Sequence, residues 1–333
     1  MLSMRFKKTL NINVLNKRLQ HNAQTAVPLG VDKSIENNLK TQTNRLAKTM
    51  TKFWDHIDLS RNNNNDFLLT MDTKPVKTSM GNDLIIPSNK PILAMLLMNE
   101  WRSLTDSKVK PYDLPLTSLI SRCIDMETSY KSLNDTKLTD SEKIVKEEEM
   151  ITKLGCTKRE ELYPQLLRYL DTDTLVCLSP NHEFEGRLRK EQDLKYLPVI
   201  ENFEKFLAQF NNDQPVKIRI LDGQTDGFRS NTQFKETQNA VIEYLKTLNI
   251  WELIILEKCV LSSKSFILGW LLITKHNSNV ENVEHTIQDM VRLSNLEIIY
   301  QTERWGEVED THDVDQRDII RKINVCSIAA HSI

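Results

Sequence analysis

Glycine is scarce: 8 of 333 residues, against an average share near 7%. Glycine lets backbone adopt left-handed turns and approach phosphates closely. These eight form neither G-x-G-x-x-G nor G-x-x-x-x-G-K-[ST], which excludes Rossmann and P-loop nucleotide binding. Cysteine is equally thin. Cys123, Cys156, Cys177, Cys259 and Cys326 lie more than twenty residues apart and make no C-x-x-C pair. They fit neither a disulfide framework nor a zinc knuckle, and predict small buried side chains in a reducing compartment. Long apolar runs are missing too. The longest, 92–98 and 266–273, fall far short of the roughly 20 residues of a membrane span, so a soluble chain without membrane insertion is expected.

The first 31 residues lack any carboxylate but contain Arg5, Lys7, Lys8, Lys17 and Arg18. Leu2, Phe6, Leu10, Ile12, Val14, Leu15 and Leu19 can gather on one side of a helix, without the continuous apolar core of a secretory signal. This is the pattern of a mitochondrial presequence. Removing those five cations takes the formal charge from −2 to −7. Such an acidic chain argues against nucleic acid as a partner.

Residues 32–51 read as a polar, flexible segment. Short apolar or β-branched runs follow at 67–71, 76–78 and 84–86, punctuated by Asn62–Asn65, Asp72–Pro75 and Met80-Gly81-Asn82. They predict a small antiparallel meander. A helix should open after Pro87, with Ser88 or Asn89 as N-cap and Pro91 near N1. Another near Leu116 sets Leu116, Leu119, Ile120, Cys123 and Ile124 on one face. Residues 52–126 thus form a β-rich domain with flanking helices. The charged stretch 127–162, densest at 132–162, has no strong core stripe and reads as an exposed insertion or surface helix.

Helical periodicity dominates 163–333. It appears after Pro198, at 234–248, and through 251–273, 283–300 and 315–330. Strict alternation over 216–220 predicts one half-buried strand. No internal repeat is present. The fold class is α+β: a small antiparallel β-rich N-terminal domain followed by a larger, mostly α-helical C-terminal one.

The acidic tract Glu303, Glu307, Glu309, Asp310, Asp313, Asp315 and Asp318, with His312 inside it, invites a metal or acid/base reading. Asp313-Val-Asp-Gln-Arg-Asp318 lacks the glycine and terminal glutamate of a calcium loop, and no H-E-x-x-H occurs. A charged start to the last helix, or a partner-facing surface, is the competing reading. No G-x-S-x-G elbow supports nucleophilic catalysis. Two charges fall on apolar stripes: Lys264 among Leu253, Leu256, Val260, Ile267 and Leu271, and Glu297 among Met290, Leu293 and Tyr300. An isolated buried charge is costly. Either the two pair across packed helices, or Glu297 waits for a cationic group on a client with Gln301 and Arg304 beside it, or both lie at helix ends or on the surface.

Taken in order, Phe67–Met71, Asp72 to Thr78, Gly81-Asn82, Ile85 to Pro87, Glu100-Trp101, Leu114 to Leu119, Ile124-Asp125, Tyr169 to Leu175, Lys264 to Gly269, Leu296-Glu297, Gln301 and Trp305 to Asp310 resemble one family. It is the mitochondrial ATP synthase F(1) assembly chaperone family acting on the alpha subunit. The resemblance runs from about residue 52 to the C-terminus, and Trp305-Gly-Glu-Val-Glu-Asp310 is its most specific block. It implies a matrix protein, monomeric when free, without cofactor or catalysis. Such a protein binds unassembled alpha subunit until the beta subunit takes the same surface. It further implies partner-binding roles for Glu297, Gln301, Arg304, Trp305, Gly306, Glu307, Glu309 and Asp310. The insertion departs from the shorter family pattern. Rival readings are a metal-binding, hydrolase-like enzyme using residues 307–318, and a stable accessory subunit of the finished complex.

Overall fold

A computed structural model describes residues 52–332 apart from 106–108, 110, 134–138, 228, 277–284 and 309–310. The presequence and flexible-segment expectations therefore lie outside the described residues.

Strands β1 (Ile57–Arg61) and β2 (Phe67–Met71) form an antiparallel hairpin, Ile57 opposite Met71 and Arg61 opposite Phe67. Its loop is held by Asn62, whose Oδ1 accepts from the amides of Asn64 and Asp66 at 2.9 Å each. The free edge of β2 is shared by two short strands, β3 (Lys74–Pro75) and β4 (Ile85–Ile86). Asp72 and Thr73 take φ of 47° and 72°, the left-handed pair that a two-residue hairpin turn demands. The meander is as expected at β2, whereas Val76–Thr78 is not a strand: only Lys77 makes an isolated bridge, to Asp83.

Helix α1 (Pro91–Arg102) packs on this sheet through Leu93, Ala94, Leu97 and Trp101. Its N-cap is Lys90, not Ser88 or Asn89, with Pro91 at N1. In α2 (Pro115–Leu133), the five expected residues from Leu116 to Ile124 are all buried. The charged stretch contains α3 (Asp140–Lys153), opened by a Thr139/Glu142 capping box. Its far end is not loose: Met150, Leu154 and Cys156 are buried against α2.

Then come α4 (Tyr163–Asp171), α5 (Arg187–Ala208), α6 (Lys235–Thr247), α7 (Ile250–Ser263), α8 (Phe266–His276), α9 (Ile287–Ser294), α10 (Leu296–Trp305) and α11 (His312–Ala330). Helix α7 is buried nearly all round, with α2, α8 and α11 packed on it. Nearly all buried apolar residues among those described join one continuous cluster from Trp54 to Ala329.

Three periodic segments differ from expectation. Helix α5 begins eleven residues before Pro198 and runs through it. The stretch 251–273 is two helices, broken where Lys264 adopts φ 57°. The stretch 283–300 likewise breaks at Asn295. Residues 216–220 keep their buried/exposed alternation yet pair with no strand. Side chains satisfy their backbone instead. Glu204 Oε1 accepts from Ile218 N and Gln233 Oε1 from Arg219 N, both at 2.8 Å, while Thr237 Oγ1 donates to Lys217 O at 2.7 Å. Strand pairing starts only afterwards, where β6 (Leu221–Asp222) runs parallel to β5 (Cys177–Leu178).

Candidate functional site

Helix α10 is amphipathic by sequence. Leu296 and Tyr300 turn inward, and Glu297, Ile298, Glu303, Arg304 and Trp305 are exposed. It ends at Gly306 with φ 87°, a conformation for which glycine carries no Cβ penalty. One turn of α10 therefore places Glu297 beside Gln301, whose Nε2 donates to Glu297 Oε1 at 2.9 Å.

The tip of α10 is shaped by a loop remote in sequence. Phe184, Glu185 and Gly186 are successively left-handed, with φ 47°, 58° and 75°. Left-handed backbone at a residue with a side chain costs roughly 1–2 kcal/mol, so packing must hold this turn. Phe184 is buried, and its ring meets Tyr300 and Trp305 edge to face at 5.8 and 5.7 Å. The Arg304 guanidinium lies 5.7 Å from the Phe184 ring centre and 5.8 Å from that of Trp305. Arg187 covers Tyr300 at 5.4 Å and approaches Glu303 at 3.7 Å. Trp305 nevertheless remains 68% exposed, and Val308 beyond it 57%. Large apolar groups left outside amid charge are the sort of surface that partners cover.

The acids here are not equivalent. Glu297 is exposed as a residue, yet the protein crowding its carboxyl raises its pKa, and the charge of Glu183 adds to the rise. Burial would also raise Glu191, but hydrogen bonds from Arg292 Nη2 and the Tyr300 hydroxyl, both 2.8 Å, outweigh it and leave its pKa lowered. Glu191 is already matched within the chain.

Lys264 stands at the break between α7 and α8. It caps the C-terminus of α7, exposed, its ammonium 5.6 Å from the Tyr169 ring centre. Lys264 and Glu297 are both exposed as residues, and the helix break at Lys264 turns that residue out of the apolar stripe. The structure brings Glu297, Gln301, Arg304, Trp305, Gly306 and Glu307 onto one stretch of surface chain. Glu309 and Asp310 lie outside the described residues. In the acidic tract, His312 Nδ1 accepts from Val308 N at 3.1 Å, Asp313 pairs with Arg317 at 2.8 Å, and Asp318 pairs with Lys322 at 2.7 Å. Among the described residues no three histidine, cysteine or acidic side chains meet as metal ligands.

Phe184 and Arg187 shape this face and were not foreseen, whereas Tyr300 was expected only as part of the apolar stripe beside Glu297. Only Gly186, a lone turn signal, hinted at the loop. Other quoted motifs build the frame. Glu100 accepts from Leu116 N, Thr117 N and Thr117 Oγ1 at 2.6–2.9 Å, capping α2 from α1. Asp125, fully buried, accepts from Ser79 Oγ, Met80 N, Asn82 Nδ2 and the Thr78 hydroxyl, pinning that turn to α2.

Residues 51–204 match a family model described as ATP12 chaperone protein. The chain is 44% identical over 309 residues to Protein ATP12, mitochondrial, of Saccharomyces cerevisiae, covering 92% of this chain and 91% of that protein. To the Schizosaccharomyces pombe protein atp12, mitochondrial, it is 31% identical over 282 residues, covering 85% and 82%. Two solved structures share the fold. A protein from Agrobacterium tumefaciens superposes with TM-score 0.62 at 18% identity, over 90% of this chain and 97% of that one. Atp12 from Paracoccus denitrificans gives 0.58 at 17%, over 85% and 98%.

Proposed function

Since the chain belongs to the ATP12 chaperone family, we propose that it is a mitochondrial assembly chaperone for the F(1) sector of ATP synthase. It works in the matrix, without cofactor or catalysis, by holding unassembled alpha subunit. An orphan alpha subunit exposes surface that obligate association would bury, and such surface is core-like and apolar. Left bare it aggregates. A holdase needs a complementary face and an affinity low enough for the beta subunit to displace it.

The observation that carries this reading is the uncovered tip of α10. Trp305 and Val308 are presented apolar, with Glu297, Glu303 and Glu307 exposed around them. Apolar groups answer the client's interface, and the carboxylates select cationic side chains on it. The test is to mix purified chain with denatured alpha subunit on dilution. Suppressed light scattering and a co-eluting complex, dissociated by beta subunit, are expected. Recovery of beta but never alpha subunit, or stoichiometric retention of the chain in finished ATP synthase, would overturn the proposal.

A further inference from the structure

Behind α10 lies a second feature that the exposed face does not use. A half-open cleft of about 200 Å³ separates α5 from α9 and the start of α10. Glu191 and Lys195 come from α5, His285 precedes α9, and Asp289 and Arg292 lie on α9, with Leu293 and Leu296 closing the floor. Three potential cations therefore converge on one small space from two sides.

The two carboxylates there already have partners. Glu191 takes Arg292 Nη2 and the Tyr300 hydroxyl, each at 2.8 Å. Asp289 serves the α9 capping box, accepting from Thr286 N at 2.8 Å and Thr286 Oγ1 at 2.7 Å. Its pKa is lowered chiefly by those Thr286 bonds, and His285 and Lys195 add to the lowering, which places both groups within electrostatic reach of it. Arg292 has one nitrogen bonded to Glu191 and retains further N–H donors. The acids are matched inside the chain, and Lys195, His285 and Arg292 line the same space.

We propose that this cleft binds one carboxylate, from an acidic side chain of the client polypeptide. A single negative charge suits it. A phosphate dianion would meet Glu191 and Asp289 at close range, and like charges across so small a space repel strongly. The volume admits a side chain and little more. Its borders suit a peptide as well: Leu194, 69% exposed, is one turn from Glu191 on α5, and Ile298, 41% exposed, lies two residues beyond Leu296. The client would thus place an apolar, acid-bearing segment here while its cationic groups meet Glu297. That division of charge fixes the register of docking and disfavours wrong partners. The identity of the client rests on the function proposed above, whereas carboxylate binding does not.

Two measurements separate those claims. First, the His285 ring resonances of the full-length chain are followed during titration with the peptide acetyl-Leu-Glu-Leu-amide, and again with its Gln counterpart. The Glu peptide should shift them saturably and the Gln peptide should not; equal or absent shifts from the two peptides would overturn the cleft. Inorganic phosphate is the third probe. Saturable shifts from phosphate stronger than those from the Glu peptide would make this a free-anion site and likewise overturn the proposal. Secondly, affinity for alpha subunit is compared between wild type, the Lys195→Gln/His285→Gln double variant and Lys195→Arg. The double variant should lose about 10- to 100-fold, the span of one to two charge-assisted hydrogen bonds, with Lys195→Arg near wild type and all three melting alike. If the peptide shift holds but alpha subunit binds none of the three, the client assignment fails and carboxylate binding stands. If alpha subunit binds all three equally, the cleft is no part of client docking.

Discussion

Arg122 on α2 and Glu257 on α7 form a buried ion pair, Nη2 to Oε2 at 2.9 Å, their side chains 7% and 4% exposed. The guanidinium Nη1 also donates to Leu154 O at 2.8 Å, just past the end of α3. One residue thus joins α2, the central α7 and the base of the charged stretch. Removing a single partner strands a charge in the core, which costs about 3–5 kcal/mol. Glu257→Ala should lower the urea unfolding free energy by that amount. Adding Arg122→Met to it should recover a part, limited by the orphaned Leu154 carbonyl. A fully additive double variant would show that the pair is not coupled.

Gly269 lets α8 lie against α7. A Cβ at this position would sit 2.7 Å from Val260 Cγ2. Val260 is β-branched and fully buried, so it has little room to yield. Gly269→Ala should therefore destabilise by about 1–3 kcal/mol, as overpacking does. Val260→Ala in the same chain should relieve much of this, and a double-mutant cycle reads the coupling.

Acid stability should carry two opposed contributions. His276, half-buried, is lowered to about 4 by burial, then by the charges of His331, Lys275 and Lys90. The unfolded chain accepts that proton first, so this stabilisation is complete above about 6.5 and disappears as pH falls toward 4. Asp173 runs the other way. Full burial raises its pKa to about 6 against hydrogen bonds from Ser265 and the amides of Ile267 and Leu175. Its contribution is present below about 3.9 and is lost as pH rises through 6. Melting temperatures at pH 4.5, 5.5, 6.5 and 7.5 separate the two. His276→Gln should make the chain relatively more stable toward acid. Asp173→Asn should steepen the acid loss, whatever its lower absolute melt. Parallel curves for all three proteins would refute both assignments.

Client binding should respond to α10 without a change in folding. Glu297 is exposed, with Gln301 as its hydrogen-bond partner. Glu297→Lys should leave the melt within about 0.5 kcal/mol, as surface changes do. It should weaken binding of alpha subunit at least about tenfold, the sign of a like charge set against a cationic client group. Trp305→Ala should weaken it comparably, removing an exposed aromatic anchor. Unchanged affinity in both variants would remove α10 from the interface; a collapsed melt in Glu297→Lys would make that residue structural.

The charged stretch shows where sequence and structure part. Its composition suggested a surface helix, and α3 is one, with Ile144, Val145 and Ile151 exposed. Yet Met150 and Leu154 anchor it in the core, and Arg122 binds its end. A stripe of two or three apolar residues is too short a signal for that. At 216–220 the alternation in sequence matches the observed burial but not the expected strand, because period-2 burial reports two faces and says nothing of what fills the backbone hydrogen bonds.

What the sequence determined by itself is local: β2, the buried face of α2, the presence of the helices, the absence of nucleotide motifs, and the family motifs. Each depends on the order of side chains along one element, and periodicity expresses that directly. Tertiary packing decided the rest. It broke 251–273 at Lys264, held Phe184 and Glu185 left-handed under Tyr300 and Trp305, and left Lys264 and Glu297 at the surface. It also drew Lys195, His285 and Arg292 around one cleft. Those outcomes depend on contacts between segments remote in the chain, such as Phe184 with Tyr300 and Glu191 with Arg292, whose energies outweigh local backbone preference.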